Sequence, residues 1–114
     1  MIKVAFQGLI HSGDFKVVSS LMAEWVKTEK LKLKIKLSGD EIVYEDEKIY
    51  FYCHSAMGEP LFLLEGDLSE TLDEARALLQ RLLQLSKARK IAASFDYAQV
   101  NEDGDEISDQ FHVK

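Results

Sequence analysis

The residues of this chain best suited to chemistry are one cysteine and three histidines, namely Cys53, His11, His54 and His112. An imidazole beside a thiol can activate it as a nucleophile, and Cys53 and His54 are adjacent in sequence. They lie, however, in a short run of aromatic and β-branched residues that is typical of a strand, where neighbouring side chains point to opposite faces. We therefore predict no catalytic residue and expect Cys53 to be a small buried hydrophobic residue.

The spacing of these residues does not indicate a metal site. Apart from the adjacent Cys53 and His54 they are far apart in sequence, and they form none of the CxxC, HxH or HExxH spacings that zinc sites use. Residues 101–105 offer oxygen atoms at alternate positions, as calcium loops do, but the glycine falls at the fourth position instead of the sixth. We predict a hairpin turn there, and we predict no metal and no other cofactor.

Two further sets of residues could bind or transform a ligand. Asp96 and Asp109 are expected to face each other across the last predicted hairpin, but no feature indicates the cleft that acid–base catalysis needs. A row of lysines that includes Lys34, near Tyr50 and Tyr52, has the residue types of a base-stacking platform. The ribonucleoprotein pattern is absent, and a pI of about 5.0 opposes phosphate binding, so we predict no nucleic-acid partner.

Composition and charge limit the class of protein. The 114 residues, 46% of them hydrophobic, fit one α+β domain over 1–114. No stretch approaches the roughly 20 apolar residues of a membrane helix, so we predict no membrane partner. A single cysteine suits the reducing cytoplasm, which is the expected location. Residues 1–36 carry seven lysines against three acids, whereas the rest carries seven basic residues against seventeen acids.

The hydrophobic periodicity predicts seven strands and two helices. Apolar residues recur every three or four positions over 15–26, after Asp14, and over 72–87, after Thr71 or the slightly earlier Ser69, which predicts two capped amphipathic helices. Alternation and short turns predict strands over 1–7, 31–37, 41–44, 48–54, 60–65, 91–100 and 106–113. The predicted order is β-α-β-β-β-β-α-β-β. This order indicates a two-layer α+β sandwich in which a largely antiparallel sheet carries both helices on one face.

The predicted strand over 48–54 has bulky residues on both faces, although two helices can cover only one. We expect Ile49, Phe51 and Cys53 to face the helices, where they would meet Val18, Trp25, Leu78 and Leu82. Tyr50, Tyr52 and His54 would then face away from the helices. Lys34 would join them if the strand registers align, so these four residues are our candidate binding residues.

The sequence favours a non-catalytic protein but leaves enzymatic activity open. A large apolar patch on a soluble domain usually marks an interface, so we expect a protein-interaction or self-associating module that uses the uncovered sheet face or an edge. Its partner would be a second copy or another protein. One alternative is a small-molecule binder or minor enzyme with a pocket between the sheet and residues 55–59, using His54, Tyr52 and Asp96. Another is an acidic inhibitor of a basic partner protein.

Overall fold

The computed structural model describes residues 3–29, 36–38, 41–56 and 58–113, which form one antiparallel sheet and two helices. The strands are β1 (Lys3–Ile10), β2 (Lys36–Ser38), β3 (Glu41–Glu45), β4 (Ile49–Ser55), β5 (Phe62–Leu68), β6 (Ala93–Val100) and β7 (Phe111–Val113). The helices are α1 (Phe15–Thr28) and α2 (Leu72–Ala88). The α+β class and the order of elements along the chain are confirmed.

The seven described strands lie in the order β2-β3-β4-β5-β1-β6-β7, and every neighbouring pair is antiparallel. The short connections from β2 to β5 join these four strands into a meander, because a tight turn can join only antiparallel neighbours. β1 lies between β5 and β6, so the first strand of the chain occupies an inner position of the sheet. The remainder of the predicted strand over 31–37, including Lys34, is outside the described residues.

Both helices begin at the predicted caps. The carboxylate of Asp14 accepts a hydrogen bond from the Lys16 backbone N–H at 2.9 Å, and the Thr71 hydroxyl accepts one from the Glu74 N–H at 3.2 Å. Such side chains satisfy backbone donors that the first turn leaves unpaired. Within the described part of the chain, neither helix has the length and apolar character required to cross a membrane.

Trp25 is at the centre of the layer between the helices and the sheet. It is fully buried, and its ring centroid lies 5.2 Å from that of Phe51 and 6.4 Å from that of Phe6. Its indole N–H donates a hydrogen bond to the Leu78 carbonyl at 3.2 Å, which links α1 to α2. The prediction that this tryptophan belongs to the core is therefore confirmed.

Gly66 allows the aromatic side chains of this core to approach the sheet. It is directly opposite Phe6 on β1 and Phe51 on β4. A Cβ atom at this position would lie 2.1 Å from the Tyr50 carbonyl oxygen and 2.7 Å from Cζ of Phe6. Only glycine permits both neighbours at these distances, because the interior is packed without space for another carbon atom.

The C-terminal hairpin departs from the regular strand predicted over 106–113. Its ladder contains only β7 and an isolated bridge from Val100 to Glu106, because the intervening residues make other bonds. The Ser108 hydroxyl accepts a hydrogen bond from the Gln99 N–H at 2.8 Å. The residues between Glu106 and β7 shift the register, so that His112 and not Asp109 is opposite Asp96. The predicted pairing of the two aspartates is therefore wrong.

Candidate functional site

The sheet face that points away from the helices is the candidate functional surface, and we call it the outer face. Side chains alternate between faces along each strand, and directly paired residues share a face. In β4 this alternation buries Ile49, Phe51 and Cys53 and leaves the three intervening side chains partly exposed, as predicted. The outer-face residues used below are Lys3, Gln7, Leu9, Glu41, Glu45, Tyr50, Tyr52, His54, Leu63, Glu65, Asp67, Ser94, Asp96 and His112.

Aromatic residues of β4 occupy the middle of the outer face. The rings of Tyr52 and His54 stack with centroids 4.7 Å apart. The Tyr52 hydroxyl donates a hydrogen bond to Oε1 of Glu41 at 2.8 Å. This bond raises the pKa of Tyr52, and the nearby negative charges of Glu41 and Glu65 add to the effect because they oppose a phenolate.

Apolar side chains extend this aromatic centre across two more strands. The register places His54 opposite Leu63 on β5 and Leu63 opposite Leu9 on β1. Leu9 is 36% exposed, which makes it one of the large hydrophobic residues with an open surface in the described chain. The outer face therefore has a continuous partly apolar row through β4, β5 and β1.

The charges on the outer face are predominantly negative. On β1 and β3 to β7 it carries five carboxylates and one lysine, and the register adds Lys36 of β2, which is paired with Val43. Three negative charges remain when both histidines are neutral; the carboxylates are Glu41, Glu45, Glu65, Asp67 and Asp96. Lys3 forms a loose ion pair with Asp67 at 3.8 Å. The surface thus combines apolar side chains with an excess of carboxylates.

The structure separates Asp96 from the other residues of the predicted pocket. β5 and β1 lie between β4 and β6, so Asp96 is about 14 Å from Tyr52 at the usual strand spacing. Met57 in the predicted pocket loop is outside the described residues. Asp96 instead lines an open groove of about 320 Å³ with Gln7, Leu9 and Ser94. The structure therefore does not bring His54, Tyr52 and Asp96 together.

A contact between Asp96 and His112 is the main feature that the sequence did not indicate. Nδ1 of His112 lies against Oδ1 of Asp96, and the two side chains are 56% and 35% exposed. A carboxylate can orient an imidazole for proton transfer. The pair is open to water, however, and the groove beside Asp96 is not enclosed, so the arrangement lacks the shielding that such catalysis uses.

Cys53 cannot work with its neighbour in sequence. Its thiol points into the core, whereas His54 is on the outer face, and burial raises the pKa of Cys53 to about 12. The thiol is therefore neutral and inert at physiological pH. Within the described residues, no group of three or more histidine, cysteine or acidic side chains is arranged to hold a metal ion.

Comparison with known proteins adds no functional assignment. No protein-family model matches the chain, and no curated protein gives a significant match.

Proposed function

We propose that this protein is a non-catalytic interaction module that binds another protein through its outer face. The observation that carries the proposal is the one-sided packing of the sheet. Both helices lie on one face, and the opposite face presents Tyr52, His54, Leu63 and Leu9 side by side. Contiguous apolar side chains on the surface of a folded domain commonly mark an interface.

The size of the outer face is adequate for a stable complex. The seven described strands contain 41 residues, each of which covers about 16 Å² at the usual spacings of about 4.8 Å between strands and 3.3 Å along a strand. The resulting area of roughly 650 Å² is within the range of roughly 600 to 1,000 Å² that each partner contributes to a standard protein interface. One partner could therefore be held by this surface alone.

The charge of the outer face favours a basic protein over a second copy of the chain. Two outer faces in contact would bring together two surfaces whose described strands each carry an excess of three carboxylates, and like charges oppose association. A partner with a lysine- and arginine-rich surface would instead be attracted. The proposal includes the case in which the module inhibits its partner by covering a basic functional site.

We place this activity in the cytoplasm. The only cysteine of the sequence is buried in the core and cannot form an internal disulfide. That cysteine use fits a reducing compartment.

Site-specific photocrosslinking in the native host tests the proposal. A photoreactive amino acid replaces Leu63 on the outer face in one variant and Gln84 on the exposed side of α2 in the other. We expect a single heterologous product from position 63 and none from position 84. A product of two 13.0 kDa chains at position 63 would instead show a homodimer, and equal products at both positions would overturn the proposal.

The partner that crosslinking identifies is then purified, and its affinity is measured for the unaltered protein and for two matched charge variants of it. Glu65→Gln with Asp67→Asn removes two negative charges from the outer face, whereas Gln80→Lys with Gln84→Lys adds two positive charges to α2. Both double variants change the net charge equally. We expect only the first to weaken binding, and equal effects would mean that the partner responds to overall charge and not to the outer face.

A further inference from the structure

We infer that the outer face recognises an arginine side chain of its partner between Tyr50 and Tyr52. This inference rests on the proposed function and names the chemical group that the module reads. The two tyrosines are successive residues on the same face of β4, so their Cα atoms are about 6.7 Å apart. A planar group that contacts a ring on each side needs roughly 7 Å, because stacked atoms lie about 3.5 Å apart.

The contacts of the two rings leave this space open. Tyr52 stacks on His54 with centroids 4.7 Å apart, so its ring leans along β4 toward His54 and away from Tyr50. Within the described residues, the Tyr50 side chain makes no ring contact and no hydrogen bond. The Tyr50 ring and the side of the Tyr52 ring that is turned away from His54 are therefore available to a flat cation.

Carboxylates flank the space from both neighbouring strands. Tyr50 is directly opposite Glu45 on β3 and Asp67 on β5. Tyr52 is directly opposite Glu65 on β5. A guanidinium group can stack on an aromatic ring and also donate two parallel hydrogen bonds to a carboxylate, whereas a lysine ammonium can do neither in the same way.

The chain itself already places a cation beside Tyr50. An open groove of about 490 Å³ is lined by Lys3, Glu45, Tyr50 and Asp67 together with the β3–β4 turn, whereas Tyr52 does not line it. The ammonium of Lys3 is 3.8 Å from Asp67, and the two side chains are 47% and 41% exposed. A loose and exposed pair of this kind is worth little energy, so an incoming guanidinium can displace the ammonium from Asp67.

The inference is tested with two short Gly/Ser peptides. One peptide has arginine at every basic position, and the other has lysine at the same positions. The isotope-labelled protein is titrated with each peptide, and the backbone amide shifts are followed by NMR. We expect the arginine peptide to shift Tyr50, Tyr52 and Asp67 and to bind about fivefold more tightly than the lysine peptide, as one exposed cation–π contact would give.

A matched pair of variants separates stacking from simple charge attraction. Tyr50→Leu should make the affinities for the two peptides equal without weakening the binding of the lysine peptide. Phe111→Leu changes a partly exposed aromatic residue of β7 and should preserve the preference for arginine. Equal affinities in the unaltered protein would overturn the arginine site but leave the basic partner possible. The site would also be overturned if the amide shifts were confined to α1 or α2, or if neither peptide bound. The crosslinking experiment tests the proposed function independently of this result.

Discussion

The hydroxyl of Tyr52 on β4 donates a hydrogen bond across the strand pair to Glu41 on β3, with 2.8 Å between the two oxygen atoms. Glu41 is directly opposite His54, and the ring of His54 stacks on that of Tyr52. One carboxylate therefore holds the aromatic centre of the outer face in place. The surface proposed for partner binding is consequently ordered before any partner arrives, which lowers the entropic cost of association.

The Tyr52–Glu41 bond predicts an altered alkaline titration. A hydrogen bond to Glu41, followed by desolvation and the charges of Glu41 and Glu65, raises the pKa of Tyr52 above its ordinary 10.0. The associated stabilisation is present below about pH 10 and is lost as the pH rises through the folded value. NMR of labelled tyrosine rings should show that Glu41→Gln lowers the pKa of Tyr52 more than Glu65→Gln does. Equal effects would mean that the hydrogen bond is not the main cause.

The Cys53 thiol should react very slowly in the folded protein. Its pKa is raised from 9.0 to about 12 by burial, so the thiolate population near pH 8 is about a thousandfold below that of an ordinary cysteine. The rate of iodoacetamide labelling should therefore rise with the unfolded fraction as urea is added. The comparison is a Cys53→Ser, Gln84→Cys variant, whose exposed thiol should react at once. Rapid labelling of native Cys53 would contradict its place in the core.

The sequence was sufficient to predict features that depend on local patterns. The caps at Asp14 and Thr71 and the core position of Trp25 follow from residue type and helical spacing. The two faces of β4 follow from strict alternation, because a strand turns successive side chains to opposite sides. These features require no knowledge of which strands are neighbours.

Features that depend on distant pairing could not be predicted in the same way. The position of β1 between β5 and β6 separates Asp96 from Tyr52, and no local pattern specifies that order. The contact between Asp96 and His112 depends on residues that leave the ladder before β7. β5 also continues through Gly66 and Asp67, which are poor strand formers, because β4 and β1 pair with both of them.

Gly66 should tolerate no side chain. In Gly66→Ala, the new carbon would lie 2.1 Å from the Tyr50 carbonyl oxygen, and backbone atoms of a central strand cannot easily move. We expect the free energy of unfolding to fall by about 2 to 3 kcal/mol, as in other overpacked cores. Urea denaturation measures this free energy of unfolding. Gly104→Asn is the control, because that glycine has open space and asparagine tolerates its positive φ of 85°. A loss of stability as large in the control would contradict the packing argument.

The ion pair between Arg81 and Glu29 should couple α1 to α2. Arg81 donates two hydrogen bonds, of 2.5 Å and 2.7 Å, to the carboxylate of Glu29, whose side chain is only 7% exposed, and hydrogen bonding to Glu29 raises the pKa of Arg81. Arg81 itself is 43% exposed, so water screens the pair. We therefore expect a coupling energy of about 1 to 2 kcal/mol, below the 3 to 5 kcal/mol typical of losing one partner of a buried pair.

A double-mutant cycle with Arg81→Gln and Glu29→Gln measures this coupling through the free energy of unfolding. Arg76→Gln is the control, because Arg76 is on the exposed side of the same helix and should change stability by less than about 0.5 kcal/mol. Both charges of the pair are carried by residues at the junction of the two helices, 52 positions apart in sequence. A coupling energy of zero would mean that this ion pair does not help to hold α1 against α2, and that the remaining contacts, including the Trp25–Leu78 hydrogen bond and the Arg89–Glu24 ion pair, are sufficient.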